Sequence, residues 1–149
     1  MNLTIANFHK YDELLASGAQ PTADQLSELK EYGCEVIVNI SPVSARNSLK
    51  EEAQIAEKLK MEYIHFPVDC SNLRPLHYKA FCGILNGLEG KRVFVHCGAN
   101  IKSSNLIHMY HVLERKKPEA ESLQTLLKIQ NPEEKWFSYF KQMGMQGIR

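Results

Sequence analysis

Two short apolar runs constrain the fold of this chain more than any other feature. They are EVIVNI at 35–40 and RVFVH at 92–96, and both are rich in β-branched or aromatic residues. Continuous apolar runs of this length are typical of strands buried on both faces, as in a parallel sheet. A third run, Tyr63–Phe66, ends at Pro67 and predicts another short strand. Because parallel strands need long crossover connections, helices are expected between these runs.

Helical patterns do occur between and after the predicted strands. Thr22 and Gln25 have the spacing of a capping box, which predicts a helix that Gly33 ends. Ser48 and Glu51 repeat that spacing and predict a second helix that runs to about residue 60. Further helices are predicted over 75–88, over 103–115, after Pro118 and after Pro132. The alternation predicts a single α/β domain over residues 1–149, with helices on both faces of a mostly parallel sheet.

The charge balance excludes some classes of partner. Eighteen Lys and Arg residues stand against 17 Asp and Glu residues, which gives a net charge of +1. A nearly neutral chain has no long-range field for nucleic acid or an anionic membrane, so neither is expected as a partner. No apolar run approaches the roughly 20 residues of a membrane span, and the first residues lack the apolar stretch of a signal peptide. We therefore expect a soluble, cytoplasmic protein.

The cysteines and histidines do not have the spacing of a metal site. The chain has four cysteines, no C-x-x-C motif, and one close histidine pair, His108 and His111. Four cysteines are too few for a disulfide scaffold in a chain of this size, which indicates a reducing compartment. We expect neither a metal nor another cofactor, and a structural role for the two histidines.

The loop HCGANIKSS at 96–104 is the first place to look for a ligand site, because ligands bind beyond the carboxyl ends of parallel strands. A tight turn at a helix N-terminus gathers backbone N–H groups and the positive end of the helix dipole around one point. Such a loop binds anions, most naturally phosphate. The predicted phosphate-binding residues are Gly98, Ala99, Asn100, Ile101, Lys102 and Ser103.

Cys97 is a candidate nucleophile at the mouth of this loop. The loop dipoles and Lys102 would stabilise its thiolate. Cysteine is also among the most buried residue types, so Cys97 alone would favour a core position. Lys102 alone would be a surface charge, and Ser103 and Ser104 ordinary helix caps. Only the combination of these residues in one loop favours the catalytic interpretation.

The segment VHCGANIKSS resembles the cysteine-dependent protein tyrosine and dual-specificity phosphatases, whose loop has His-Cys, five residues, Arg, and Ser or Thr. It is most similar to a small bacterial branch with the shorter form His-Cys-x-x-Asn-x-Arg-x-Ser, matched here at His96, Cys97, Asn100 and Ser104. The likeness extends upstream through SGAQPTADQLSELKEYGCEVIVNI and FPVD, so it covers about residues 17–113. It implies the dual-specificity phosphatase fold and hydrolysis of a phosphorylated substrate, protein or small molecule.

The resemblance also implies roles for individual residues. Cys97 would attack phosphorus to form a phosphocysteine, while His96 would order the loop and help keep the thiol ionised. Ser104 would donate a hydrogen bond to the leaving thiolate, and Asn100 would hold the shape of the loop. Asp69, at the end of FPVD, occupies the place of the general acid that protonates the leaving oxygen. The other interpretation of Asp69 is that it caps a turn after the strand.

Lys102 departs from the family pattern, because the bacterial branch has Arg at this position. Arg grips two phosphoryl oxygens with a planar fork, whereas Lys is a point donor of the same charge. Loss of one well-placed donor typically costs on the order of a hundredfold in rate. The chain is therefore predicted to be a phosphatase, slow or of unusual specificity, or else a pseudophosphatase that binds phosphate groups. A thiol redox or sulfur-transfer protein is a third alternative, although that class needs neither Asn100 nor Ser104.

Two residues upstream of the loop have weaker claims to a functional role. Cys70 would come close enough to Cys97 for a regulatory disulfide if both lie at the phosphate loop. Arg74 could contact an anionic substrate, although an exposed arginine is usually only solvated.

Overall fold

The computed structural model describes residues 3–149, and its five strands form one sheet. The strands are β1 (His9–Lys10), β2 (Leu15–Gly18), β3 (Val36–Asn39), β4 (Glu62–His65) and β5 (Val93–His96). Their order across the sheet is β1-β2-β5-β3-β4, and only the β1-β2 pair is antiparallel. In the central strand, Val93 is paired with Leu15 on one side and Val36 on the other. The predicted α/β fold with a mostly parallel sheet is confirmed.

Helices cover both faces of the sheet. They are α1 (Ala23–Tyr32), α2 (Glu52–Lys58), α3 (Pro75–Gly87), α4 (Ile101–Met109), α5 (Glu119–Leu127) and α6 (Glu134–Gln142), and α4 continues into a π-helix (Tyr110–Glu114). Successive β3 residues alternate between two core clusters. Ile37 packs with α1 and α2, whereas Val36 and Val38 pack with the other helices. Among the described residues, no helix is long and apolar enough to cross a membrane.

The capping box at the start of α1 is present as predicted. The hydroxyl of Thr22 accepts a hydrogen bond from the backbone N–H of Gln25 at 3.2 Å. The Gln25 side chain accepts in return from the backbone N–H of Thr22 at 3.0 Å. Gly33 ends the helix with a φ of 107°, in the left-handed region that favours glycine. This helix could be predicted because its caps are local in sequence.

The second predicted capping box is wrong. The helix α2 begins at Glu52, and the Ser48 hydroxyl donates to the carbonyl of Val43 instead of capping a helix. The physical reason is a tertiary contact, because the neighbouring Asn47 side chain donates to Gly98 O at 3.0 Å and holds this loop against the phosphate loop. The later start places Glu52 inside the protein, where it is 2% exposed.

Strand β2 was missed because its sequence, LASG, has no β-branched run. Small residues are required there, since a Cβ on Gly18 would lie only 3.0 Å from side-chain atoms of both Ile5 and Phe94. The helix predicted from Ser103 also begins two residues earlier, at Ile101, and it ends as a π-helix. The close packing of β2 places the loop after Gly18 beside the phosphate loop.

Candidate active site

Three loops meet the phosphate loop at the carboxyl edge of the sheet. The backbone N–H of Gln20, after β2, donates to Gly98 O at 3.1 Å. The Asn47 side chain, after β3, donates to the same carbonyl. The ammonium group of Lys102 donates to Val68 O, after β4, at 2.7 Å. The topology therefore brings together the segments that contain all the predicted site residues.

The backbone of the phosphate loop turns its carbonyl groups outward. Gly98 O accepts the two hydrogen bonds described above, and Ala99 O accepts from the Asn7 side chain at 3.2 Å. Asn100 has a left-handed φ of 67°, and its side chain donates to Asn7 O at 2.9 Å. Within residues 3–149, no acceptor engages the backbone N–H groups of 98–103. Successive unpaired N–H groups at a helix start form an anion-binding nest.

Cys97 directly precedes the residues of this nest in the sequence. It follows the last residue of β5 directly, is 2% exposed, and belongs to the larger core cluster. Cys97 is therefore buried in the core and also stands at the start of the phosphate loop. The structure agrees both with a core cysteine and with a candidate nucleophile. Water has little access to the thiol, and the unpaired N–H groups of the loop are close to it in sequence.

His96 is held by a network that the sequence did not predict. Its Nε2 lies 2.5 Å from Oε2 of Glu52, and its Nδ1 lies 3.1 Å from Cys97 O. The Gln20 side chain donates to the other carboxylate oxygen of Glu52 at 2.9 Å. Both ring nitrogens therefore lie within hydrogen-bond distance of an oxygen atom, which fixes the orientation of the ring. The only sequence indication for Glu52 is its position four residues before the buried Ala56.

Ser104 is bonded to the loop backbone. Its hydroxyl donates to Asn100 O at 2.5 Å and accepts from the Gln130 side chain, also at 2.5 Å. The Ser103 hydroxyl is fully buried and has no partner among the described residues. In this structure, then, the Ser104 hydroxyl stabilises the turn at Asn100 and makes no hydrogen bond to Cys97. The contribution of Gln130 was not foreseen, because it is far from the loop in sequence.

Asp69 caps a turn. Its Oδ1 accepts from the backbone N–H of Ser71 at 2.9 Å and from the Ser71 hydroxyl at 2.7 Å. These hydrogen bonds lower the pKa of the Asp69 carboxyl, and the positive charge of Lys102 lowers it further. Asp69 is exposed at the edge of the site, so the turn-capping role is observed and the role of general acid stays a prediction.

Lys102 bridges the phosphate loop to the loop of Asp69. Its ammonium group is committed to Val68 O, one residue before Asp69. The lysine therefore provides positive charge between the two loops. A lysine in this position links the two loops as well as offering a charge to a ligand.

The remaining residues singled out in the sequence lie outside this cluster or at its margin. His108 and His111 are buried on the helix behind the loop, and burial lowers the pKa of each to about 4. Cys70 is half-buried without a disulfide, and Arg74 is exposed. Among the described residues, no group of three or more His, Cys, Asp and Glu side chains is arranged to hold a metal ion.

Solved structures share this architecture. A candidate phosphatase (DUF442) from Shewanella putrefaciens CN-32 is 26% identical, with a TM-score of 0.82 over 94% of this chain and 92% of that one. Pseudomonas aeruginosa TpbA in complex with phosphotyrosine has a TM-score of 0.77 at 13% identity, covering 99% of this chain and 88% of that one. PTPMT1 in complex with PI(5)P has a TM-score of 0.76 at 14% identity, covering 91% and 93%. At identities this low, the latter two show the fold alone.

The family assignment rests on nearly the whole chain. Residues 6–142 match the family described as DSP-PTPase phosphatase fused to NAD+ kinase. No curated protein matches the chain. The matched segment includes the phosphate loop and the three loops that contact it. The chain therefore belongs to this family of dual-specificity and tyrosine-type phosphatases, whose members are cysteine-dependent.

Proposed function

We propose that the chain hydrolyses phosphomonoesters through a phosphocysteine formed at Cys97. The observation that supports this most strongly is the set of unpaired backbone N–H groups at 98–103, next to a buried cysteine. Donors that are fixed in place before the reaction stabilise charge on a transferring phosphoryl group at little reorganisation cost.

The first step is attack of the Cys97 thiolate on phosphorus. An electron pair of sulfur forms the S–P bond, while the bond from phosphorus to the leaving oxygen breaks. Protonated Asp69 donates its proton to that oxygen, which leaves as an alcohol. The N–H groups of 98–103 and the α4 dipole carry the charge on the equatorial oxygens.

The second step is hydrolysis of the phosphocysteine. Asp69, now a carboxylate, accepts a proton from water as the water oxygen attacks phosphorus. The S–P bond breaks, and the thiolate of Cys97 and inorganic phosphate are released. His96, fixed by Glu52, keeps the carbonyl of Cys97 in place throughout, so these two residues act as positioning residues.

Exposed apolar side chains on the surrounding loops indicate the kind of substrate. Val43, Leu76 and Ile101 are 78%, 69% and 42% exposed. Val43 belongs to the segment between β3 and α2, Leu76 to the first turn of α3, and Ile101 to the first turn of α4. Exposed apolar side chains gathered near a site favour a ligand with apolar surface. We therefore propose a substrate whose phosphate is attached to an aromatic or aliphatic group.

The test is hydrolysis of p-nitrophenyl phosphate in the presence of EDTA. We expect turnover by the wild type and the Cys82→Ser control, and none by Cys97→Ser. Rapid acid quenching of the wild type should leave the added mass of a phosphoryl group on the peptide that contains Cys97. Turnover by Cys97→Ser equal to that of the wild type would refute the proposal.

A phosphate-binding pseudophosphatase is the second candidate. It is favoured by two observations, the commitment of Lys102 to Val68 O and the turn-capping hydrogen bonds of Asp69. It predicts that inorganic phosphate binds the wild type, detected by ³¹P line broadening, while both the wild type and Lys102→Arg are inactive. Activity in either protein would exclude it.

A further inference from the structure

A second cavity lies at the opposite end of the sheet from the phosphate loop. Its volume is about 330 Å³, and it reaches the first residues of β2 and β5, Leu15 and Val93. Cys97 follows the other end of β5, so the strand separates the two sites. Small-molecule sites in proteins have volumes of about 300–1,000 Å³. We call this space the distal cavity.

The distal cavity combines apolar residues with cationic ones. Leu15, Leu85, Leu88 and Val93 line it, together with the charged residues Asp12, Glu89, Lys91, Arg115 and Lys117. One of the two carboxylates is already engaged, because Asp12 Oδ1 accepts from the backbone N–H groups of Leu14 and Leu15 at 2.8 Å. One of the cations is engaged as well, because the ammonium group of Lys91 lies 3.7 Å from Oε2 of Glu35. Arg115 and Lys117 are then the cations that face the remaining carboxylate, Glu89.

His111 is a buried polar group that also lines this cavity. Its side chain is only 6% exposed, and its ring packs edge-on against Tyr11 with the ring centroids 5.4 Å apart. Burial and the charges of Lys117 and Arg115 lower its pKa to about 4, so the ring is neutral at pH 7 and has one N–H to donate. This N–H can donate a hydrogen bond to an acceptor in the cavity.

Arg115 is already held in place beside His111. Its guanidinium carbon lies 5.4 Å from the centroid of the Tyr110 ring, and its Nε donates to the Tyr110 hydroxyl at 3.2 Å. The terminal guanidinium nitrogens have no partner in the described part of the chain. The π-helix Tyr110–Glu114 contains two of these cavity residues, and short π-helical segments are frequent at functional sites.

We propose that the distal cavity binds a small molecule with one anionic group on an apolar body. The anion is a carboxylate, sulfonate or phosphate that accepts hydrogen bonds from Arg115, Lys117 and His111. The apolar body, aromatic or aliphatic, covers the leucines of the cavity. This site is separate from the phosphatase site, so both can be occupied at once, and the inference holds whether or not Cys97 is active.

The test compares two fluorescent probes of nearly the same shape. 1-Anilinonaphthalene-8-sulfonate has the anionic group, and N-phenyl-1-naphthylamine lacks it. We expect saturable binding of the sulfonate to the folded protein and at least about tenfold weaker binding of the neutral amine. Lys117→Gln should weaken sulfonate binding about tenfold and leave the amine unaffected, whereas Lys58→Gln, an exposed lysine on α2, should change neither.

The position of the probe is checked by NMR. The imidazole signals of His111, assigned by their loss in His111→Gln, should shift when the sulfonate is added. The backbone N–H signals of the phosphate loop should stay in place when the sulfonate is added. Equal affinity for both probes, an unaltered affinity in Lys117→Gln, or sulfonate-induced shifts in the phosphate loop without shifts of His111 would overturn the proposal. These outcomes are independent of turnover, so failure of the phosphatase assay would leave them intact.

Discussion

The carboxylate of Glu52 and the imidazole of His96 form a buried pair, with Oε2 of one 2.5 Å from Nε2 of the other. They are 2% and 0% exposed. The pair joins α2, on one face of the sheet, to the strand that leads into Cys97. Since His96 also contacts the carbonyl of Cys97, the position of the phosphate loop depends on a helix that contributes no residue to the loop itself.

Replacing this carboxylate should weaken both the fold and the reaction. Glu52→Gln keeps the shape but removes the charge that faces His96. We expect the free energy of unfolding to fall by about 1–3 kcal/mol and kcat to fall with little change in KM. Glu57→Gln, at an exposed position of the same helix, is the matched control. Urea unfolding and steady-state kinetics measure the two effects, and a Glu52→Gln protein with wild-type stability would contradict the prediction.

Lys102→Arg should increase the rate. A guanidinium reaches two phosphoryl oxygens at once, so we expect kcat to rise by about tenfold or more on p-nitrophenyl phosphate. Lys102→Gln should lower it, because the positive charge between the loops is lost. Lys79→Arg, on the exposed side of α3, controls for the substitution itself. If kcat of Lys102→Arg is lower than that of the wild type, the hydrogen bond from Lys102 to Val68 O contributes more to the rate than bidentate binding of the phosphoryl group would.

The general acid can be tested with leaving groups of different basicity. Phenolate is a poor leaving group and needs a proton, whereas p-nitrophenolate departs without one. Asp69→Asn should therefore lower kcat for phenyl phosphate by about 10²–10⁴-fold and for p-nitrophenyl phosphate far less. Asp24→Asn, at an exposed position in the first turn of α1, should change neither. Equal losses on both substrates would assign Asp69 to the turn alone.

The hydroxyl of Ser71 should set the pH range of that acid. Its hydrogen bond is the largest cause that lowers the pKa of the Asp69 carboxyl. Removing it in Ser71→Ala raises that pKa, and the protonated, proton-donating form then persists to higher pH. In a plot of kcat for phenyl phosphate against pH, the decrease at high pH should therefore occur at a higher pH in Ser71→Ala than in the wild type. A decrease that stays in place, or moves to lower pH, would show that another group limits the rate.

His108 and His111 should make the fold sensitive to mild acid. Burial lowers the pKa of each from 6.5 to about 4, so between these values the unfolded chain binds more protons than the folded one. Stability is therefore complete above about pH 6.5 and falls toward pH 4, by on the order of 3 kcal/mol for each histidine. Urea unfolding across this range should show the loss. Replacing both histidines with leucine should make the free energy of unfolding less dependent on pH between 4 and 6.5. If the double variant loses as much stability toward pH 4 as the wild type, the two histidines are not the cause.

Local patterns predicted some elements better than others. The strand at 92–96 and the loop after it could be predicted because β-branched runs and the loop motif are contiguous in sequence. Strand β2 could not, because its small residues are required by Phe94 and Ile5, which lie far away along the chain. The capping box at Ser48 failed for a related reason, since the contact of Asn47 with Gly98 overrides local preference.

The site residues follow the same division. Cys97 and the N–H groups of 98–103 belong to one segment and were found from the sequence. Glu52 was missed, because a glutamate in a short helix is usually exposed, and only the tertiary fold shows that it meets His96. Gln130 was missed because it reaches Ser104 from the segment after α5.

The two outer strands of the sheet also bear on how this protein behaves at high concentration. On one side, β1 has only two residues and contains Lys10; on the other, the four residues of β4 include the exposed Glu62. Short strands and charged side chains at the edges of a sheet oppose pairing with a strand from another molecule. The fold therefore discourages ordered aggregation through its backbone, and self-association of this chain would have to use side-chain surfaces.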